Sequence, residues 1–184
     1  MSLLTALKVI IEFLETNKIP YMVIGGIANS FYGEPRQTFD IDLKIKISGD
    51  HNLKILTDKL RDISNIIPQN PFEFLKDLKV LPIIIDETKI DLIIAELKYE
   101  LDAIKNSVRN KFESVEINVC KPEDLIIQKS VSEREKDWID IKSLIRNNYN
   151  ILDKNYIIKH CKELSDWLSN PDLIRKIEIY FNEK

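Results

Sequence analysis

The sequence predicts an α+β fold, with strands and helices over residues 1–120 and a helical region over residues 121–184. Three observations carry this. Leu3, Leu4, Leu7, Ile10, Ile11 and Leu14 recur at helical spacing ahead of a short apolar run that ends at Gly25-Gly26. The segment 39–47 alternates without a break, with Phe39, Ile41, Leu43, Ile45 and Ile47 on one face and Asp40, Asp42, Lys44 and Lys46 on the other, the signature of a half-buried strand. From Pro122 to the end the apolar period is helical throughout.

The elements follow in order. The first helix ends near Asn17-Lys18, and a strand is expected over 21–24. The glycine pair breaks that strand, a short helix follows over 27–32, and Gly33-Glu34-Pro35 forms a turn before the Asp40/Asp42 strand. Leu53, Leu56, Leu60 and Ile63 place a helix over 52–63, and 65–71 reads as a loop. Two apolar runs, 78–85 and 89–94, flank Asp86-Glu87-Thr88 as a hairpin. A helix over 97–108 and a last strand over 112–119 complete this part. Pro122 suits a first helical position, and Glu123 and Asp124 complement the positive end of the helix it opens. Further helices are expected over 135–147, 154–168 and 171–181. Trp138, Ile141, Ile145 and Trp167 read as packing residues, and Asp137 and Asp140 as solvated or helix–helix polar positions.

Composition narrows the function. Residues 1–99 carry 12 basic and 14 acidic groups and the remainder 15 and 16, so neither half is a basic module and a broad electrostatic grip on nucleic acid is disfavoured. Lys44 and Lys46 are the place where a local basic stripe would reverse that. The N-terminal segment is an amphipathic helix bearing Lys8, Glu12 and Glu15 rather than a secretory signal, and no apolar run reaches membrane-spanning length. A cytoplasmic chain with free thiols at Cys120 and Cys161 is expected. Two cysteines and two histidines, His51 and His160, far apart in sequence do not make a zinc site.

The chemistry lies in the first half. Asp40 and Asp42 share a strand face, where two oxygen ligands can hold a hard cation such as Mg²⁺. Asp91 faces opposite to Ile90 and Leu92, so if its strand lies beside the first, three carboxylates converge. Three carboxylates suit two divalent ions, one gripping a triphosphate and one acidifying an attacking hydroxyl, with Asp91 as general base or second-metal ligand. Gly25-Gly26, between a strand and a helix, let a phosphate approach the backbone, and a pair of adjacent glycines in a chain with only four points to a backbone need. Ser30 adds a hydroxyl one turn on, Arg36 offers a bidentate fork, and Lys129 lies on the helix that Pro122 opens. Each has a plainer reading: a solvated strand face, a tight turn, a loop arginine, a lysine reaching from a helix flank. The combination of glycine pair, Asp-x-Asp and downstream aspartate favours metal-assisted phosphoryl transfer.

These residues resemble the nucleotidyltransferase superfamily related to DNA polymerase beta. The order of Gly25-Gly26, a spacer of 13 residues, Asp40-Ile41-Asp42-Leu43 and a later strand aspartate carries the resemblance. A finer likeness is to small prokaryotic members of the abortive-infection toxin type. It rests on Gly25, Gly26 and Ala28, on Gly33, Arg36, Thr38, Asp40 and Asp42, on Pro122-Glu123-Asp124-Leu125 with Lys129, and on Lys136-Asp137 with Asp140-Ile141. The resemblance implies a minimal nucleotidyltransferase core, a mixed β-sheet flanked by helices, with a C-terminal helical bundle packing on the active cleft. It implies Mg²⁺, one ion or two with Mn²⁺ able to substitute, at Asp40, Asp42 and Asp91, and a triphosphate on Gly25-Gly26. A nucleoside monophosphate would pass from an NTP to an acceptor hydroxyl or phosphate with release of pyrophosphate. The acceptor would be RNA, tRNA in a toxin-like enzyme, or a small molecule of the aminoglycoside kind, and a toxin would have an antitoxin protein as partner. A regulatory module of the same fold, binding nucleotide or protein without turnover, is the reading from another class.

Overall fold

The computed structural model describes residues 3–183. The chain divides into two compact units. One comprises the residues up to Ile27 together with Gln37–Cys120, and the other Ala28–Arg36 with the chain from Lys121 onward. The helical C-terminal region thus takes a nine-residue insert from the first half with it.

The first unit is built on a mixed sheet of β1 (Tyr21–Val23), β2 (Asp40–Ile45), β3 (Asn65–Ile66), β4 (Val80–Ile85), β5 (Thr88–Ile94), β6 (Val108–Phe112) and β7 (Val115–Val119), in the order β3-β4-β5-β2-β1-β7-β6. The helix α1 (Leu3–Thr16) buries Ala6, Leu7, Ile10, Ile11 and Leu14, the stripe its sequence spacing predicts. After it come β1 (Tyr21–Val23), α2 (Gly25–Tyr32) and β2 (Asp40–Ile45). β2 is antiparallel to β1 and parallel to β5 (Thr88–Ile94), while β1 is parallel to β7 (Val115–Val119). Ile41, Leu43 and Ile45 are fully buried, so the alternation read from the sequence is the observed pleat. The strand is shorter than that alternation. Pairing with β5 begins at Asp40, and Phe39, just outside it, is 73% exposed.

Between β2 and β5 lie α3 (Asp50–Leu60), β3 (Asn65–Ile66), α4 (Pro71–Leu78) and β4 (Val80–Ile85). The expected hairpin is present: β4 and β5 pair antiparallel, joined through Asp86 and Glu87, both at positive φ (49° and 66°), as a two-residue turn requires. The helix α4 was not legible as such. It has eight residues, opens on Pro71, and stops where Lys79 turns left-handed (φ 58°) and its N–H closes on Leu75 O. Leu78 therefore belongs to a helix end, where it is exposed, and not to the strand.

The helix α5 (Lys98–Lys105) is shorter than expected, and the single last strand is a hairpin of β6 (Val108–Phe112) and β7. β6 is a sheet edge whose sequence, Val-Arg-Asn-Lys-Phe, is mostly exposed and so shows no burial period. Lys44 does not join a basic stripe. It is buried and paired with the buried Glu100, whose other oxygen accepts from Glu96 N and Leu97 N at 2.9 and 3.1 Å.

In the second unit the helices α6 (Pro122–Ser130), α7 (Glu135–Asn148), α8 (Lys154–Trp167) and α9 (Pro171–Asn182) stand close to their expected bounds. Leu125, Ile126, Leu144, Ile157, Cys161 and Ile177 are among their buried residues. Proline opens α6 and α9, and Asp153 caps α8 by accepting from Tyr156 N at 2.9 Å. Trp138 is partly buried, its indole N–H donating to Ser132 O at 2.9 Å and its ring edge-on to Tyr180. Trp167 is 75% exposed, against the packing role its sequence suggested, because it lies on the last turn of α8. Among the described residues no helix is long and apolar enough to cross a membrane.

Candidate active site

The first unit gathers the carboxylates and the glycine pair. The β5 strand lies beside β2 in parallel register, with Asp42 opposite Asp91 and Asp40 opposite Lys89. Strand parity puts Asp40, Asp42, Lys89 and Asp91 on one face, the other face being the core side occupied by Ile41, Leu43, Ile90 and Leu92. All three aspartates are partly exposed. Thr38 Oγ1 donates to Asp40 Oδ1 at 2.9 Å and steadies the first of them.

Gly25 is locked to this face. Its φ is +64°, and a Cβ on it would lie 2.7 Å from Asp42 Cγ and closer still to Asp42 Oδ2. Glycine is therefore required twice, for the left-handed backbone and for the approach of the carboxylate. Gly26 is in the same position towards Thr38, whose Cβ a methyl there would meet at 2.8 Å. Ile24 N donates to Asp42 O at 3.0 Å and fixes the strand-to-helix corner against β2. The helix α2 opens at Gly25, so its positive end lies next to Asp42, a combination that suits an anion and a cation side by side.

Lys89 is the residue of this face that the sequence reading passed over. Its Nζ lies 2.7 Å from Asp91 Oδ2. The hydrogen bond to Asp91 raises the lysine pKa, against the opposing effect of desolvation and with further attraction from Asp91, Asp42 and Asp40. The signal was available: Lys89 precedes Asp91 by two residues and so shares its side of the strand.

The donor chemistry fits a hard divalent cation. Oxygen-only ligands stand on adjacent strands, the glycine leaves the Asp42 carboxylate room, and an ammonium already rests on Asp91 as a stand-in cation. Among the described residues no three acidic, histidine or cysteine side chains are already drawn together around a common point.

The remaining candidates lie in the second unit. Ser30 is exposed on α2. Arg36 is held by Asp140, its Nε donating to Oδ1 and Oδ2 at 3.2 and 3.3 Å and its Nη2 to Oδ2 at 3.1 Å. Lys129 is buried, with Nζ 2.8 Å from Asp137 Oδ1 and 2.7 Å from Asp140 Oδ2. Asp137 also accepts from Ser132 Oγ at 2.7 Å and from Arg134 Nε at 2.6 Å. Burial alone would push the Asp137 carboxyl up; the bonds from Lys129, Ser132 and Arg134 outweigh it and hold the pKa at about 2. Of the two readings of Asp137 and Asp140, solvated or helix–helix polar, the second holds: both are buried between α6 and α7, and the ammonium of Lys129 is committed to both.

Compared with solved structures, the fold is that of a nucleotidyltransferase. An antigenic nucleotidyltransferase-like protein from Paracoccidioides brasiliensis superposes with a TM-score of 0.55 at 14% identity, over 95% of this chain and 91% of that one. The antibiotic-resistance factor ANT(2'')-Ia does so with a TM-score of 0.55 at 15% identity, over 87% and 90%. Its complex with adenylyl-2''-tobramycin gives 0.55 at 14% identity, over 89% and 97%. A search of curated proteins finds no significant match. The family model described as "Nucleotidyl transferase AbiEii toxin, Type IV TA system" matches residues 15–183, and the chain belongs to that family.

Proposed function

We propose that this nucleotidyltransferase is Mg²⁺-dependent and moves a nucleoside monophosphate from an NTP to an RNA acceptor, in the manner of a toxin. The observation that carries the metal-dependent reading is the parallel register that sets Asp42 beside Asp91 while Gly25 packs on the Asp42 carboxylate. Asp40, Asp42 and Asp91 would hold the metal, which when bound supplies charge neutralisation for the triphosphate and acidification of the attacking hydroxyl.

The chain's own groups do the rest. N–H groups of the first turn of α2, at Gly25 and Gly26, receive phosphate oxygens, and the helix dipole favours the negative charge. Asp91, the carboxylate outside the Asp-x-Asp pair, takes the acceptor's proton or orients the acceptor oxygen. That oxygen forms a bond to the α-phosphorus, the bond from the α-phosphorus to the bridging oxygen breaks, and pyrophosphate leaves. Ser30 and Arg36 are proposed as phosphate donors. Lys129 is proposed to act through Asp140, holding the carboxylate that clamps Arg36.

The toxin role and an antitoxin protein as partner rest on the family; the RNA acceptor is proposed from the resemblance of the motifs, and a cytoplasmic site of action from the free thiols at Cys120 and Cys161. A small-molecule acceptor of the aminoglycoside kind is the alternative, and a non-catalytic module the further one. The test is incubation of purified protein with each labelled NTP, Mg²⁺ and total cellular RNA. Label entering RNA with wild type and not with Asp40→Ala/Asp42→Ala supports the proposal and names the nucleotide. Pyrophosphate release only when an aminoglycoside replaces RNA moves the acceptor to small molecules. No turnover with any acceptor, despite NTP binding, leaves the regulatory module.

A further inference from the structure

On the carboxylate face Lys89 and Asp91 are two residues apart on the same side of β5, with Nζ and Oδ2 2.7 Å apart. The lysine side chain is 53% exposed and that of Asp91 21% exposed, so a solvent-reachable ammonium rests on a largely covered carboxylate. An ion pair this exposed contributes little to stability. Its consequence lies in the local field. Asp40, Asp42 and Asp91 repel one another, and the charge of Lys89 is attracted to all three. A divalent ion using Asp91 Oδ2 needs the oxygen that the ammonium holds, and two cations on one oxygen repel.

We infer that Lys89 is a resident countercation of the carboxylate face, which a divalent ion must displace from Asp91, so that Lys89 weakens metal binding in the absence of nucleotide. The inference rests on the metal-dependent reading of the site. It assigns Lys89 a definite role: the face stays assembled without metal, and tight loading awaits the added negative charge of a bound triphosphate. Breaking the pair is inexpensive because the ammonium returns to water.

The test is Mn²⁺ titration of the full chain without nucleotide, read by the electron paramagnetic resonance signal of free Mn²⁺, which needs no turnover. Lys89→Met keeps the length of the side chain and removes its charge. It should bind Mn²⁺ about five- to tenfold more tightly, the scale of one exposed charge pair acting on a doubly charged ion. Lys89→Arg should match wild type. So should Lys111→Met, an equal change of net charge at an exposed position on the far edge strand β6. In an Asp91→Asn background the effect of Lys89→Met should vanish. The inference is overturned if wild type binds Mn²⁺ and Lys89→Met binds it equally or more weakly, or if the gain persists with Asp91→Asn. Failure of both wild type and Lys89→Met to bind at millimolar Mn²⁺ without nucleotide overturns the inference, and failure of both with a non-hydrolysable NTP analogue present as well removes the metal-dependent reading too.

Discussion

Asp42 and Asp91 are cross-strand partners on the parallel strands β2 and β5, and Gly25 presses its Cα side against the Asp42 carboxylate. The pair costs the fold something, because two partly covered carboxylates side by side repel. Asp42→Asn or Asp91→Asn should each reduce nucleotidyl transfer about 10²–10⁴-fold, the range for a lost acid–base or charge-stabilising group. Neither should lower thermal stability. Loss of activity accompanied by loss of the melting transition would mean that these side chains are structural.

Gly25 is the most sensitive backbone position in the face. An alanine there must hold φ near +64° and overlap Asp42. Gly25→Ala should destabilise by about 2 kcal/mol or more, since a left-handed conformation alone costs an L-residue about 1–2 kcal/mol. Chemical denaturation checks this. A variant as stable as wild type would show that the corner relaxes freely and that the carboxylate is not fixed by it.

Lys129 separates a structural from a direct role. Lys129→Met leaves Asp137 and Asp140 buried beside an apolar side chain, and removal of one partner from a buried ion pair costs about 3–5 kcal/mol. Adding Asp140→Asn should recover part of that loss. If Lys129→Met were instead as stable as wild type and raised only the KM for NTP, the lysine would be a nucleotide contact and the buried network incidental.

Asp124 gives the second unit a pH signature. It is 3% exposed, and burial pushes its carboxyl up to about 6, with the hydrogen bond from the Tyr156 hydroxyl and the nearby Lys121 and His160 opposing part of the rise. Unfolded, it titrates near 3.9, so between about pH 4 and pH 6 the folded chain binds the extra proton. Its contribution to stability therefore falls as pH rises through that window and is constant above it. Asp124→Asn keeps an acceptor for Tyr156 and removes the penalty, so at pH 8 it should be about 1–2 kcal/mol more stable than wild type. Urea unfolding at pH 4, 6 and 8 measures this. An Asp124→Asn variant that loses stability at pH 8 would show that the ionised carboxylate is favoured there.

The legible part of this molecule was the part written in local period. Ile41, Leu43 and Ile45 alternate with the aspartates, and that alternation gave both the strand and the facing of Asp40 and Asp42. Pro122, with Glu123 and Asp124 after it, gave the start of α6, whereas Pro71 opens α4 in the same way and the ends of that helix read as loop and strand. The rest depended on pairing that no local pattern records. The β6 strand is an exposed edge and is ordered by its hairpin with β7. Asp137 and Asp140 read as solvated or as helix–helix polar positions, because acids three apart on a helix serve as either; what decides between the two is a lysine from another helix. Lys89 shares a face with the aspartates by simple parity, but its contact with Asp91 exists only once both side chains are placed.

The most direct measurement of the central claim is pyrophosphate release by wild type, Asp42→Asn and Asp91→Asn during an Mg²⁺ titration at saturating NTP and RNA. The account predicts release by wild type that rises with Mg²⁺ and stops on chelation, with both variants reduced at least a hundredfold at every concentration. Wild-type release that ignores Mg²⁺, or full release by either variant, would contradict it.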